Sequence, residues 1–530
     1  MKRTLTLFLF VFLPTLVSAQ RFQEPVRPGV ATFPTSDPVI RNIWTEAMDS
    51  SKLEILAHEL LDVIGPRLVG TPQMKRAHDW AVGKYKAWNI GAQNEQWGVW
   101  KGWERGVTHI DLLEPRVRTL EGTMLAWSPP SKKGGTTAGV MLLPEAPDSI
   151  SFLKALPSVR GKFVMISAPE PTGRPDREWE EYALSWSFDS LKAKRDQTRD
   201  AWERRIRASG YRADTLANIL EQAGAVGVIT SRWSRGWGVN KVFGTKAEKV
   251  PVVDLSVEDY GLLYRLIVNG RTPVVRIVAE SRFLGEVPTY NTIGRIEGTE
   301  KPNEYVILSA HFDSWDAASG ATDNGTGSVL MMEAMRILKK YYPNPKRTIL
   351  VGHWGSEEQG LNGSRAFVKD HPDIVNGIQA LFNQDNGTGR VVGISASGFL
   401  QGGEYLARWM SRIPPEVTEH ITLSVPGMPG GGGTDHASFV AAGVPAFNLG
   451  SHRYDYFLYT WHTNRDTYDK INFDDMKNNV VLAACLAYLA SEDPESVPRT
   501  KRDMPVDERT GKPRPWPEQR EPQRRGGLNR

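Results

Sequence analysis

The chain has 530 residues, 40% hydrophobic and 24% charged, with a single cysteine. That length supports a large buried core and two domains, and the lone Cys485, inside an apolar helical run, excludes a disulfide framework. Lys2 and Arg3 account for two of the four net positive charges, so little basic excess is left to recruit nucleic acid.

The opening MKRTLTLFLFVFLPTLVSA reads as an export signal over residues 1–19. Two basic residues precede the apolar run Leu5–Leu13, and Val17 and Ala19 are the small side chains of a cleavage site. The run is too short for a stable membrane span, and no longer apolar segment follows. The mature chain is therefore expected in the periplasm or outside the cell. Residues 20–124 read as the first part of a main domain. Leu53, Leu56 and Leu60 predict one helix over 40–65, and Gly70–Thr71–Pro72 opens a second near Gln73, with Ala77, Trp80 and Tyr85 as its stripe.

From 125 to 285 the texture shifts to short apolar runs: Gly139–Leu143, Phe163–Ser167, Val226–Thr230 and Val274–Val278. These predict a small, mainly strand-built domain inserted in the larger one, with the charged stretch from Pro175 to Gly210 as a surface insertion. RWSRGWG, 232–238, reads as a loop at the surface or facing a substrate. Residues 286–495 alternate strand and helix: strands at 305–310, 347–354, 378–383 and 444–449, helices at 326–341, 361–369 and 474–491. This predicts an α/β fold, a mostly parallel sheet flanked by helices. Residues 496–530, rich in Pro, Arg and Gly, predict a disordered tail.

The chemistry-bearing residues sit where these strands give way to loops. His311 follows one strand directly, and Asp313, two residues on, is placed to accept its other ring proton. Asp323 lies in a Gly-bounded loop before the next helix, where a carboxylate has two oxygens to share between cations; capping that helix is its plain structural alternative. Glu357 and Glu358 end the second strand. Adjacent carboxylates at a buried edge repel each other unless a cation neutralises them, and one can bind metal while the other acts as a base. Asp385 follows the third strand. His462 comes late, with Asp466 four residues on as a possible supporting partner. Two imidazoles, three carboxylates and a spare glutamate point to two divalent cations and hydrolysis.

In order and spacing, HFDSWD, GATDNGTG, SEEQGLNGS, NQDNG, TDHASFVAAGVPAF and YFLYTWHTNRDTYD resemble the M28 zinc peptidases, in the carboxypeptidase Q branch. IGPRLVG resembles the family's opening segment, and the middle region resembles its protease-associated insert. The resemblance implies two Zn2+ per chain. His311 and Asp385 would hold one ion, Glu358 and His462 the other, with Asp323 between them, a cis bond from Asp323 to Asn324, and Glu357 as general base. At TDHASF the Asp435–His436 pair resembles the aminopeptidase branches instead, so aminopeptidase, carboxypeptidase and dipeptidase activities all stay open.

The expected function is thus hydrolysis of dipeptides or short peptides through a metal-bridging water and a glutamate base. Trp315, Tyr454, Tyr456 and Phe457 lie near the metal-binding segments as substrate-pocket candidates, and the glycine run 426–436 can bring backbone close to the cleft, with Asp435 and His436 contacting substrate or supporting a ligand. The alternatives are another amide or ester hydrolase on the same scaffold, a single-zinc glutaminyl-cyclase-like transferase, and a metal-binding but catalytically silent binding protein. A homodimer is compatible with the sequence, which does not itself specify one.

Overall fold

The computed structural model describes residues 35–527 apart from 175 and 431; the export signal expected over residues 1–19 lies outside the described residues. Thr35–Arg530 forms one compact unit. Its centre is four parallel strands, in the order Ala446–Ser451, Ile378–Gln384, Lys301–His311 and Arg347–Trp354. Every residue of Arg347–Trp354 and Ile378–Gln384 is buried, so neither shows the apolar–polar alternation of a strand with one face in solvent. The helices Thr326–Tyr341 and Phe473–Glu492 pack against each other beside this sheet.

Two very long strands, Gly91–Glu114 and Val274–Ile296, pair antiparallel along almost their whole length. The far end of Val274–Ile296, from Thr292 on, pairs with Arg347–Trp354, and its first residues pair with Thr136–Leu142. One ribbon therefore carries hydrogen bonding from the central sheet into a second lobe. Sequence pattern missed Gly91–Glu114, because four register shifts break its alternation.

The second lobe is not mainly strand-built. Thr136–Leu142, Phe163–Met165, Gly227–Thr230 and Val252–Leu255 are parallel neighbours. Parallel pairing requires crossovers: the helix Ser149–Ala155 lies in the first and Leu216–Gln222 in the second, while the third, from Thr230 to Val252, is a long loop. The charged stretch forms the helices Asp176–Tyr182 and Ser185–Ala208; the second buries only Leu191 and Trp202.

Two other expectations are corrected. The helix expected over 40–65 is broken at Ser50–Lys52 into Pro38–Asp49 and Leu53–His58, followed by a wide turn to Ile64; Lys52 N–H donates to Glu333 and Ser51 Oγ accepts from Leu53 N–H. The C-terminal segment is not a disordered extension but a strap. Leu400 N–H donates to Thr500, Arg502 N–H to Gly398 and Trp516 Nε1 to Val440, and Arg525–Gly526 pairs with Val99–Trp100. The strap has almost no apolar pattern because it is ordered by backbone bonds, one tryptophan and the side chains of Arg499, Arg502, Arg524 and Arg525 on a surface already built, not by a core of its own. Among the described residues no helix is long and apolar enough to cross a membrane.

Candidate metal centre

The sheet places the candidate ligands at the carboxyl ends of three adjacent parallel strands. His311 is the last residue of its strand, Asp385 follows Gln384 directly, and Glu357–Glu358 lie just past Trp354. Asp323 sits in a kinked turn, Ala321–Gly325, ahead of the long helix, and the Asp323–Asn324 bond is cis. His462 comes from the 460–466 loop, with a left-handed backbone at φ 57°.

These residues meet. His311 Nε2 is 3.0 Å from Asp385 Oδ1 and 3.4 Å from Asp323 Oδ1. His462 Nε2 is 2.7 Å from Glu358 Oε2 and 3.3 Å from Asp323 Oδ2. The two oxygens of Asp323 thus face different imidazoles. Two triads result, His311–Asp323–Asp385 and Asp323–Glu358–His462, each with donor atoms within 4.8 Å of one another. Glu357, next to Glu358 in sequence, is partly buried where its charge acts on His311 and Asp385, and its carboxylate makes no hydrogen bond to another described residue.

The charges here are out of balance. Burial raises Glu357 and Glu358 well above the carboxylate range and raises Asp385 too. Burial opposes a charge on His311, but Asp385 and Glu357 outweigh it and hold the imidazole above its ordinary range. Glu358 Oε1 is buried without a hydrogen-bond partner. Nitrogen and oxygen donors converging in two sets, with surplus negative charge and an orphaned carboxylate oxygen, fit a pair of divalent cations such as zinc.

The supporting residues are arranged differently from the sequence reading. His311 Nδ1 faces the backbone oxygen of Asp313 at 3.0 Å, whereas the Asp313 carboxylate is 3.6 Å away. That carboxylate instead accepts from the N–H groups of Glu357 and Glu358, fixing the turn that aims both glutamates. Asp466 does not support His462. It accepts from Thr322 N–H at 2.7 Å and Asp323 N–H at 3.0 Å, so it anchors the central carboxylate's backbone; burial pushes it up to about 7. Asp435 is fully buried and also pushed up to about 7 by burial, while burial holds His436 down at about 4 and so uncharged. Tyr456 is buried beside Asp323. Trp315 packs edge-on to Phe243 and His462. Tyr454 and Phe457 are exposed, and Tyr454 bonds Asp475 away from the triads.

Two features escaped the sequence. Arg67, fully buried within IGPRLVG, donates to the carbonyls of Gly65, Phe312, Ser319 and Gly320 and so pins the loop that follows His311. Burial lowers its pKa to about 10, against the pull of Asp466 and Asp313. The second lobe also grips the His462 loop. Val242 N–H donates to His462, Lys241 Nζ donates to the carbonyls of Phe457 and Trp461, and Asn240 exchanges bonds with Asn464. The patch at 232–238 hinted at this loop, but no local pattern points to Lys241 or Phe243.

Residues 291–487 match the model of peptidase family M28. The chain is 25% identical to carboxypeptidase Q of Mus musculus over 488 residues, 91% of this chain and 95% of that one. It is 25% identical to carboxypeptidase Q of Homo sapiens over 452 residues, 83% and 85% of the two chains. Its fold is that of a peptidase M28 precursor from Shewanella amazonensis, with a TM-score of 0.62 at 23% identity over 87% of this chain and 97% of that one. BSAP, a zinc aminopeptidase from Bacillus subtilis, gives 0.54 at 20% identity over 85% and 96%.

Proposed function

We propose that this chain, a metallopeptidase of the M28 family, is an exported di-zinc exopeptidase acting on dipeptides and short peptides. The observation that carries this reading is the pair of three-residue ligand sets sharing Asp323, with the unengaged carboxylate of Glu357 alongside. His311 and Asp385 would hold one ion, Glu358 and His462 the other, and Asp323 both. When bound, the ions supply Lewis acidity, acidifying a bound water toward roughly 7 and polarising the scissile carbonyl.

The chain's own residues do the rest. Glu357 accepts the proton of the attacking water and returns it to the leaving amine. Asp313 keeps Glu357 in reach by holding its backbone N–H at 3.0 Å. Asp466 keeps Asp323 centred, and Asp435, His436 and Tyr456 line or support the approach for substrate. Trp315, Phe243 and Trp461 surround His462 with apolar surface that limits water on that side. Export rests on residues 1–19 alone.

The test combines metal counting with Glu357→Gln. About two zinc ions should remain bound per chain while turnover on dipeptides falls by roughly 100-fold or more. Near-normal turnover by that variant, or full activity with one ion, would overturn the reading; one ion with cyclisation of N-terminal glutamine would favour the transferase instead.

A further inference from the structure

The start of the helix Pro72–Ala87 and the middle of the strand Val274–Ile296 enclose a cavity of about 250 Å3. Val69, Met74, Leu284 and Val287 give it apolar walls, and two turns close it at Gly70 and Gly355. Both turns are pinned. Gly70 takes φ 82° and its carbonyl accepts from Trp103 N–H at 3.1 Å. Gly355 donates its N–H to Asn291 Oδ1 at 3.1 Å and accepts from Gly363 N–H at 3.0 Å. The cavity is therefore a built feature, and none of the candidate metal ligands lines it.

Two polar atoms of this lining have no partner. His78 Nε2 and Thr289 Oγ1 are buried without a hydrogen bond to any described residue, on residues only 1% and 5% exposed. The protons of the neighbouring groups fix the role left to the imidazole. The Asp79 carboxylate accepts from Asn94 Nδ2 at 3.1 Å, so Asn94 Oδ1 is free to accept the Thr292 hydroxyl proton at 2.7 Å. The Thr292 oxygen then accepts from His78 Nδ1–H at 2.7 Å. Burial, helped by His353 and Lys75, holds His78 down at about 3, so the ring is neutral and Nε2 carries a bare lone pair. A buried acceptor left unpaired is costly. An anion would set its own lone pairs against Nε2, and a cation would meet Lys75, which lines the cavity and pairs with Asp79. A neutral hydroxyl suits the lining: it donates to Nε2 and keeps its own lone pairs for other donors. A dry cavity of about 150 Å3 holds benzene, so this one has room for a phenol of roughly nine non-hydrogen atoms.

We propose that this cavity binds a small neutral alcohol or phenol, whose hydroxyl donates to His78 Nε2 and whose apolar body packs between Met74 and Val287, against the turn that leads to Glu357. Thr289 Oγ1 is the second polar contact open to the bound molecule. The site is separate from the two candidate ligand sets and stands whether or not the chain cleaves peptides.

Calorimetry on the full chain compares 4-ethylphenol with 4-ethylfluorobenzene, which has the same shape without the donor, and with 4-ethylbenzoate, an anion. The phenol should bind at least about 10-fold more tightly than either. His78→Phe should erase the preference for phenol over the fluoro compound. Thr289→Val should weaken phenol binding by a few fold. Val287→Trp, at a half-buried position, should fill the cavity and abolish binding of all three. Circular dichroism checks each fold; if His78→Phe does not fold, the parent's ranking of the three probes and Val287→Trp decide the matter. A crystal soaked in 4-ethylphenol should show its hydroxyl about 3 Å from His78 Nε2. Equal affinity for phenol and fluoro compound, tighter binding of the benzoate, binding that survives Val287→Trp, or no binding at millimolar phenol would overturn the proposal.

Discussion

The backbone N–H of Val242 donates to the carbonyl of His462 at 2.7 Å, which joins the second lobe to a metal-ligand candidate through one hydrogen bond. His462 needs that help. Its φ of 57° lies in the left-handed region, a conformation that costs a non-glycine residue on the order of 1 kcal/mol or more. Trp461 stacks on its ring at 3.9 Å, and Phe243 meets the same ring edge-on at 5.2 Å.

This clasp predicts that the second lobe sets metal affinity. Phe243→Ala leaves every ligand in place but removes the ring that orients His462. Zinc binding at the Asp323–Glu358–His462 set should weaken by roughly 10- to 100-fold, the usual scale for losing a residue that orients a ligand. Competition against a chromogenic chelator measures it directly, with circular dichroism checking the fold. Unchanged zinc affinity would show that the lobe's contact is packing alone.

Arg67 predicts a stability effect rather than a binding one. Four carbonyls share its guanidinium, and three of them belong to the loop between His311 and Asp323. Arg67→Met should destabilise the metal-free chain by about 3 kcal/mol or more, since the buried acceptors lose their donors together. Arg67→Lys should not rescue it, because one ammonium cannot span acceptors arranged for a planar fork. Denaturant unfolding of both variants decides the matter, and a Lys variant as stable as the parent would refute the fork argument.

A pH dependence follows from the N-terminal helix. Burial alone would raise Glu46, but hydrogen bonds from Lys340, Arg336 and Tyr341 overcome it and hold the carboxyl down at about 2, against an ordinary 4.5. The folded value is the lower one, so the stabilisation is complete above about pH 4.5 and fades as pH falls toward 2. Glu46→Gln should therefore cost on the order of 3 kcal/mol near neutral pH and progressively less below 4.5. Stability curves of parent and variant that stay parallel from pH 6 to 2.5 would contradict it.

The convergence of the candidate ligands was legible in the sequence because parallel strands announce themselves. Tyr305–Ala310, Arg347–Trp354 and Ile378–Asn383 each carry a short apolar core that reads as a buried strand, so the His, Glu and Asp just beyond each fall at one sheet edge whatever the loops do. The helix at 326–341 and the second helix's start at Pro72 were equally plain, from period and capping.

What only the tertiary structure decided is everything that depends on backbone groups meeting across long separations. Asp313 and Asp466 looked like partners of their neighbouring histidines but bond N–H groups in other loops, 44 and 144 residues away. Arg67 and Lys241 find carbonyls that no side-chain pattern advertises. The terminal strap lacks any apolar period, yet it is ordered because Trp516 and a run of main-chain bonds meet a surface that the rest of the chain has already formed. Periodicity reports which face of an element is buried. It carries no information about where an unpaired carbonyl or N–H will find its partner, and in this protein those partners fix the loops that carry the candidate ligands.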